Sequence, residues 1–129
     1  MGRNAARQGD RVSGQDTHTV MVPNPAGGEI PTPMPMPFSG AVVEGCPSVL
    51  IEGRPAAVVG STVKNVPGHV APYRFMMPPS NQGKVSGGSP TVTFGGKAAA
   101  RDGDTVMTCN DGGPQPRGRI TATCTVQIG

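Results

Sequence analysis

The sequence predicts an all-β fold: a short, cone-shaped, pseudo-three-fold β-prism of short strands and hairpins, with long Pro-rich loops. Three observations lead to this prediction. The 129 residues include 20 Gly and 15 Pro, which together oppose long helices. A hairpin-like unit recurs at an offset of 43 residues. A further copy of that unit is divided between the two ends of the chain, so the terminal strands can pair and close the figure.

The uninterrupted copies of the repeat cover residues 45–63 and 88–106, and nine of their 19 aligned positions are identical. In each copy a run of strand-forming residues, 48–51 or 91–94, leads into a Gly-containing turn. A short Ala-rich segment follows. It is too short and too closely bounded by Gly to form a stable helix, so we expect an extended return strand.

The split copy consists of residues 4–12 and 122–129. Residues 5–12 match residues 99–106 at six of eight positions, and residues 125–129 correspond to the first strand of the repeat. The chain therefore begins with the second half of a unit and ends with the first half. We expect one domain spanning residues 1–129, in which small Ala side chains allow three strands to approach a common axis.

Two Pro-rich inserts, 22–38 and 67–83, interrupt the repeats and are expected to be long extended loops. Both contain Met and aromatic side chains. These side chains either cover a small core or form a docking face for a partner protein. The predicted docking residues are Met34, Phe38, Tyr73, Phe75 and Met76.

The two histidines and one cysteine occupy related positions in the three units. His18 and His69 each lie nine residues after an equivalent Gly, and Cys109 lies six residues after the third such Gly. Three-fold symmetry would bring these side chains together, and His and Cys are the usual ligands of structural zinc. The alternative is that the histidines are ordinary polar residues with hydrogen-bonded neighbours. Cys46 and Cys124 are expected to be small buried hydrophobic residues.

Several functional classes are disfavoured. The net charge is +3, but the basic residues are scattered rather than clustered with aromatic ones, so nucleic-acid binding is not expected. Three cysteines cannot form a complete disulfide framework. There is no nucleotide-binding or nucleophile motif. The first ten residues are polar and do not look like a signal peptide, which favours a cytoplasmic protein that is exported by another route.

The repeated residues resemble the PAAR-repeat family. The motif occurs as Arg-Pro-Ala-Ala at 54–57, Lys-Ala-Ala-Ala-Arg at 97–101 and Asn-Ala-Ala-Arg at 4–7. The resemblance implies a β-cone that caps the trimeric spike of type VI secretion systems and extracellular contractile injection particles. It also implies one structural zinc bound by three His and one Cys. His18, His69 and Cys109 match these ligands, while Met36 stands where relatives often have the remaining His. The fourth position is thus Met36, a water molecule or vacant.

The function predicted from these points is a non-enzymatic, metal-stabilised spike tip that helps to pierce target membranes. Its expected partner is a trimeric β-helical spike protein of the VgrG type, with one tip per trimer, and effector proteins are further partners. The protein would be cytoplasmic during assembly and then exported within the particle, touching the target membrane transiently. The alternatives are a small zinc-dependent hydrolase, with Glu29 or Glu44 in catalysis, and a generic β interaction scaffold.

Overall fold

The computed structural model describes residues 2–129, and within this range the fold consists of strands and turns without any helix. The all-β prediction is therefore confirmed. The strands are β1 (Arg3–Asn4), β2 (Arg11–Pro23), β3 (Glu29–Val42), β4 (Cys46–Ile51), β5 (Arg54–Ala56), β6 (Thr62–Asn65), β7 (Gln82–Val85), β8 (Thr93–Phe94), β9 (Lys97–Ala98), β10 (Thr105–Thr108), β11 (Gln115–Thr121) and β12 (Gln127–Ile128).

Six strands close into a small barrel in the order β10-β11-β2-β3-β6-β7. The barrel is built from three consecutive hairpins, β2–β3, β6–β7 and β10–β11, each paired to the next. Alternate residues of every strand point inward, as the strand period requires. The core inside the barrel includes Val12, Phe38, Val63, Val106 and Ile120.

Three short hairpins lie at one end of the barrel: β4–β5, β8–β9 and β1–β12, the last formed by the two chain termini. The segments that follow them meet in a closed ring. The backbone N–H of Ala57 donates to Ala6, that of Ala6 to Ala100, and that of Ala100 to Ala57, at 2.9–3.0 Å. All three side chains are buried. Ala is suited to these positions because a larger side chain would keep the three backbones apart.

Each ring segment enters the barrel through the same turn. Gly9, Gly60 and Gly103 have φ of 95°, 95° and 82°, which favours Gly. The next residue in each copy is Asp10, Ser61 or Asp104. Its side-chain oxygen accepts a hydrogen bond from the backbone N–H three residues earlier, at 2.8, 3.0 and 2.8 Å respectively. The three units thus share their turn chemistry as well as their sequence.

The first Pro-rich insert is not a loop over residues 29–38, contrary to expectation. These residues belong to β3, which pairs with β2 from Arg11↔Ala41 to Pro23↔Glu29. The prolines at 31, 33, 35 and 37 occupy every second position, so their nitrogens all face the same side. The facing N–H groups of Thr17, Thr19 and Met21 likewise point away from β3, towards Asn110, Asp111 and Arg74. The ladder therefore loses no hydrogen bond to proline.

The barrel separates two ends of the molecule. The ring of Ala residues and the three short hairpins lie where β2 begins. Strand β2 then runs for 13 residues, about 40 Å at ~3.3 Å per residue, towards the opposite end. The second insert, 67–83, lies at that opposite end and has no strand until Gln82. Most of each insert therefore lies away from the short hairpins.

Candidate metal centre

Four side chains bring potential metal-binding atoms to within 4.8 Å of one another: Asp16, His18, His69 and Cys109. The three residues predicted from sequence as ligands are among them. All four lie on the barrel end opposite the ring of Ala residues. Their side chains are at most 8% exposed. Such a buried group of carboxylate, imidazole and thiol donors is compatible with a metal ion.

The barrel strands place these side chains. Asp16 and His18 are two residues apart in β2, so both face inward with Val12 and Val20. Cys109 follows directly after the last residue of β10, which is the neighbour of β11 in the barrel. His69 lies in the segment that connects β6 to β7. The donors thus come from all three barrel hairpins, as the shared sequence register predicted.

The carboxylate of Asp16 is at the centre of the cluster and is fully buried. Its Oδ2 lies 2.8 Å from His69 Nε2 and 3.4 Å from Cys109 Sγ. Its Oδ1 accepts hydrogen bonds from Thr108 Oγ1 and, at 3.1 Å, from Asn110 Nδ2. The two oxygens therefore have separate roles: one is held by protein donors and the other faces the remaining cluster residues.

A second carboxylate orients His18. Asp111 Oδ1 lies 3.0 Å from His18 Nδ1, and Asp111 Oδ2 accepts the backbone N–H of Thr19 at 2.6 Å. Burial would raise the pKa of Asp111, but these hydrogen bonds outweigh it and the pKa is lowered. His18 Nε2 is left facing Cys109 Sγ at 3.7 Å. A carboxylate behind a histidine is the usual way to fix the ring of a metal ligand.

The electrostatics of the cluster also fit a cation. Burial, together with the negative charge of Asp16, raises the pKa of the Cys109 thiol. A thiolate and a carboxylate this close would repel each other in a poorly hydrated site. Within residues 2–129, the only ion pair of Asp16 is with His69. A bound cation would stabilise both anions, so the donor set suits a metal ion in a buried site.

Met36, the predicted occupant of the fourth position, is also near the cluster. It is paired directly with Asp16 across the β2–β3 ladder, so the two side chains lie on the same face. Met36 is 4% exposed. Its role as a ligand stays a prediction.

The residues predicted for partner docking differ in their exposure. Phe38 is 1% exposed and lies in the barrel core, which removes it from any docking face. Tyr73 and Met76 are exposed, and Phe75 is partly buried with its ring 6.0 Å from that of His18. Met34 is paired with His18 across the ladder. Met34 and Phe75 therefore lie beside the metal cluster, and a docking role for these residues stays a prediction.

The other residues singled out from sequence lie away from the cluster. Cys124 is buried as expected, but Cys46 is only partly buried, and its thiol lies 3.2 Å from Ser48 Oγ. The carboxylate of Glu29 is paired with Arg74 at 2.6 Å. That of Glu44 accepts a hydrogen bond from Thr62 Oγ1 at 2.8 Å, near the ring end. Neither glutamate is positioned to act with the cluster.

Asp16 is the cluster residue that sequence reasoning missed. Its signal was the sequence Asp16-Thr17-His18 within a strand, since residues two apart in a strand share a face. An Asp on the buried face of a strand needs a compensating partner, and a histidine two residues along points to a polar or metal-binding site. The repeat did not reveal it, because the other two units have no acidic residue at this position.

No helix in the described part of the chain has the length and apolar character needed to cross a bilayer.

The repeats of this chain are similar to a known protein family. The family model for the PAAR motif matches residues 77–129, which include the uninterrupted copy at 88–106 and the closing strand. The search of curated proteins found no match. This match, together with the repeated Ala-rich segments and the closed β fold, supports a PAAR-repeat protein, and the PAAR motif is that of spike-tip proteins of contractile injection systems.

Proposed function

We propose that this protein is a non-enzymatic, metal-stabilised tip that caps the trimeric spike of a contractile injection machine and helps to pierce target membranes. Residues 1–129 act as one domain made of three repeat units, including the unit split between the termini. One tip binds one spike trimer. Assembly takes place in the cytoplasm, and the tip leaves the cell with the particle, alone or with effector proteins.

The observation that carries this proposal is the convergence of His18, His69 and Cys109 at one end of a closed barrel. Each comes from a different barrel hairpin. A metal ion held there links the three hairpins far from the ring of Ala residues. We assign this ion as a single structural zinc, because imidazole and thiolate ligands in a closed site are typical of structural zinc. When bound, zinc supplies cross-linking without redox chemistry.

We further propose that the spike binds at the ring end. The three short hairpins there are related by the repeat, so they match a three-fold partner better than the unequal inserts do. Leu50 of β4 is 63% exposed at this end, so it offers apolar surface to a partner. The inserts then cover the metal end, which is the end that meets the target membrane.

Metal analysis tests the first part of the proposal. Purified protein should contain about one zinc per chain, and His18→Ala should lower that occupancy because a ligand is lost. Leu50→Ala is the matched control, since Leu50 is exposed at the other end of the molecule. Folded protein that contains no metal after preparation in zinc-replete medium would refute the metal centre.

Co-purification tests the docking assignment. Leu50→Asp should abolish binding to the cognate trimeric spike while the zinc content stays at the wild-type value. The double variant Met34→Asp, Phe75→Asp should bind the spike normally, provided circular dichroism shows that it is folded. The reverse pattern would place docking on the inserts and the metal end.

A further inference from the structure

We infer that Asp16 is the fourth metal ligand of this chain, bound through Oδ2, in place of the third histidine that the family resemblance implies. The inference rests on the proposed metal centre and specifies its composition. The complete ligand set would be one carboxylate, two imidazoles and one thiolate. Met36 then packs beside the site without binding the ion.

The hydrogen bonds of Asp16 distinguish its two oxygens. Oδ1 is held by Thr108 and Asn110, which flank Cys109 in sequence. Among the donors of residues 2–129, no hydroxyl or amide reaches Oδ2; its neighbours are His69 Nε2 and Cys109 Sγ. An oxygen that faces only other metal-binding atoms is placed as a ligand, while the held oxygen fixes the orientation of the carboxylate. Binding through one oxygen follows from this division.

Burial supports the same assignment. Asp16 is 0% exposed, and among residues 2–129 no Lys or Arg forms an ion pair with it. An ionised carboxylate without a countercharge is costly in such a site. A divalent cation bound by one carboxylate and one thiolate gives a site with no net charge. Three imidazoles and one thiolate would instead leave a buried net charge of about +1.

The competing ligand is Met36, which occupies the neighbouring strand position. Carboxylate oxygens are established zinc ligands, whereas a thioether favours softer ions such as copper(I). Met36 lies beside Asp16 and is nearly without solvent contact. Its contribution is to exclude water from the carboxylate. This difference between ligand and packing roles can be measured directly.

The test uses full-length protein stripped with a chelator and titrated with zinc against a competing chelator. Asp16→Asn should weaken zinc binding by more than about 100-fold, because a ligand is lost rather than a supporting contact. Asp111→Asn is the matched control: it removes the orienting partner of His18 and should cost only about 10–100-fold. Met36→Leu keeps the side-chain volume and should leave the affinity within about threefold of wild type.

X-ray absorption of the zinc-loaded proteins identifies the ligands independently of stability. Wild type should show one sulfur and two imidazoles, and Asp16→His should show three imidazoles with one sulfur. Two imidazoles in Asp16→His, or wild-type affinity in Asp16→Asn, would overturn the assignment of Asp16. Loss of zinc in His18→Ala with no change in Asp16→Asn would reject this inference and leave the proposed metal centre standing. A wild type without zinc would overturn both.

Discussion

At the scale of single residues, Phe38 illustrates how neighbours in one Pro-rich segment acquire different roles. Phe38 is paired with Gly14 across the β2–β3 ladder. A Cβ on Gly40 would lie 3.1 Å from Phe38 Cε1, so the ring occupies space that Gly40 leaves open. In curved β-sheets an aromatic ring commonly packs over a glycine and covers the space left by its missing side chain. The ring is therefore part of the core and unavailable to a partner.

Phe38→Ala should lower the free energy of unfolding by about 3–5 kcal/mol, because it removes a large buried side chain and leaves a cavity. Urea denaturation of the metal-loaded protein measures this loss. Met77→Ala is the control, since Met77 is 61% exposed, and its effect should stay within about 0.5 kcal/mol. Equal effects of the two substitutions would contradict the placement of Phe38 in the core.

At the scale of strands, the barrel closes because glycines stand at the three seams between hairpins. A Cβ on Gly14 would lie 2.4 Å from the carbonyl oxygen of Arg117 in β11. Gly40 would meet Lys64 of β6 at 2.0 Å, and Gly83 would meet Met107 of β10 at 2.5 Å. These neighbours are backbone atoms that cannot move independently. The close approach of adjacent hairpins therefore requires glycine at each seam.

Gly14→Ala should destabilise the protein by about 1–3 kcal/mol, because the added methyl group pushes β2 and β11 apart. Ser13→Ala provides a matched control: it places the same residue at the preceding position of β2, where the side chain is exposed. Its effect should be within about 0.5 kcal/mol. Thermal or urea unfolding with zinc bound compares the two. If Gly14→Ala were as stable as Ser13→Ala, the barrel would have to tolerate a wider separation between β2 and β11, and glycine would not be required at this seam.

At the scale of the whole molecule, the two ends are held by different interactions. The ring end depends on backbone hydrogen bonds among Ala6, Ala57 and Ala100 and on turns that need no metal. The opposite end depends on side chains: Thr17 N–H donates to Asn110 and Thr19 N–H to Asp111, both beside Cys109. Loss of a metal ion should therefore loosen one end of the barrel first.

Hydrogen exchange should detect this difference. After removal of zinc by a chelator, the amides of Thr17, Thr19 and His69 should exchange faster, because their acceptors are residues around the cluster. The amides of Ala6 and Ala57 should keep their protection. Mass spectrometry of peptides from the two ends makes the comparison. Uniform loss of protection would mean that the metal ion stabilises the molecule as a single cooperative unit.

The sequence by itself determined the repeat, the pairing of the chain ends and the three candidate ligands His18, His69 and Cys109. These features are local or recur at fixed spacing, so a period and a residue type are enough to identify them. The same information led to the all-β prediction, since short strand runs between Gly-containing turns leave little room for helix.

Only the tertiary structure decided the strand character of residues 29–38, the burial of Phe38 and the presence of Asp16 in the cluster. Each depends on pairing with a distant segment: the prolines are tolerated because β2 needs no donor from them. Asp16 becomes part of the cluster because Thr108 and Asn110, more than 90 residues away, hold its carboxylate beside Cys109. Contacts of this kind follow from the closure of the barrel, and no period in the sequence records them.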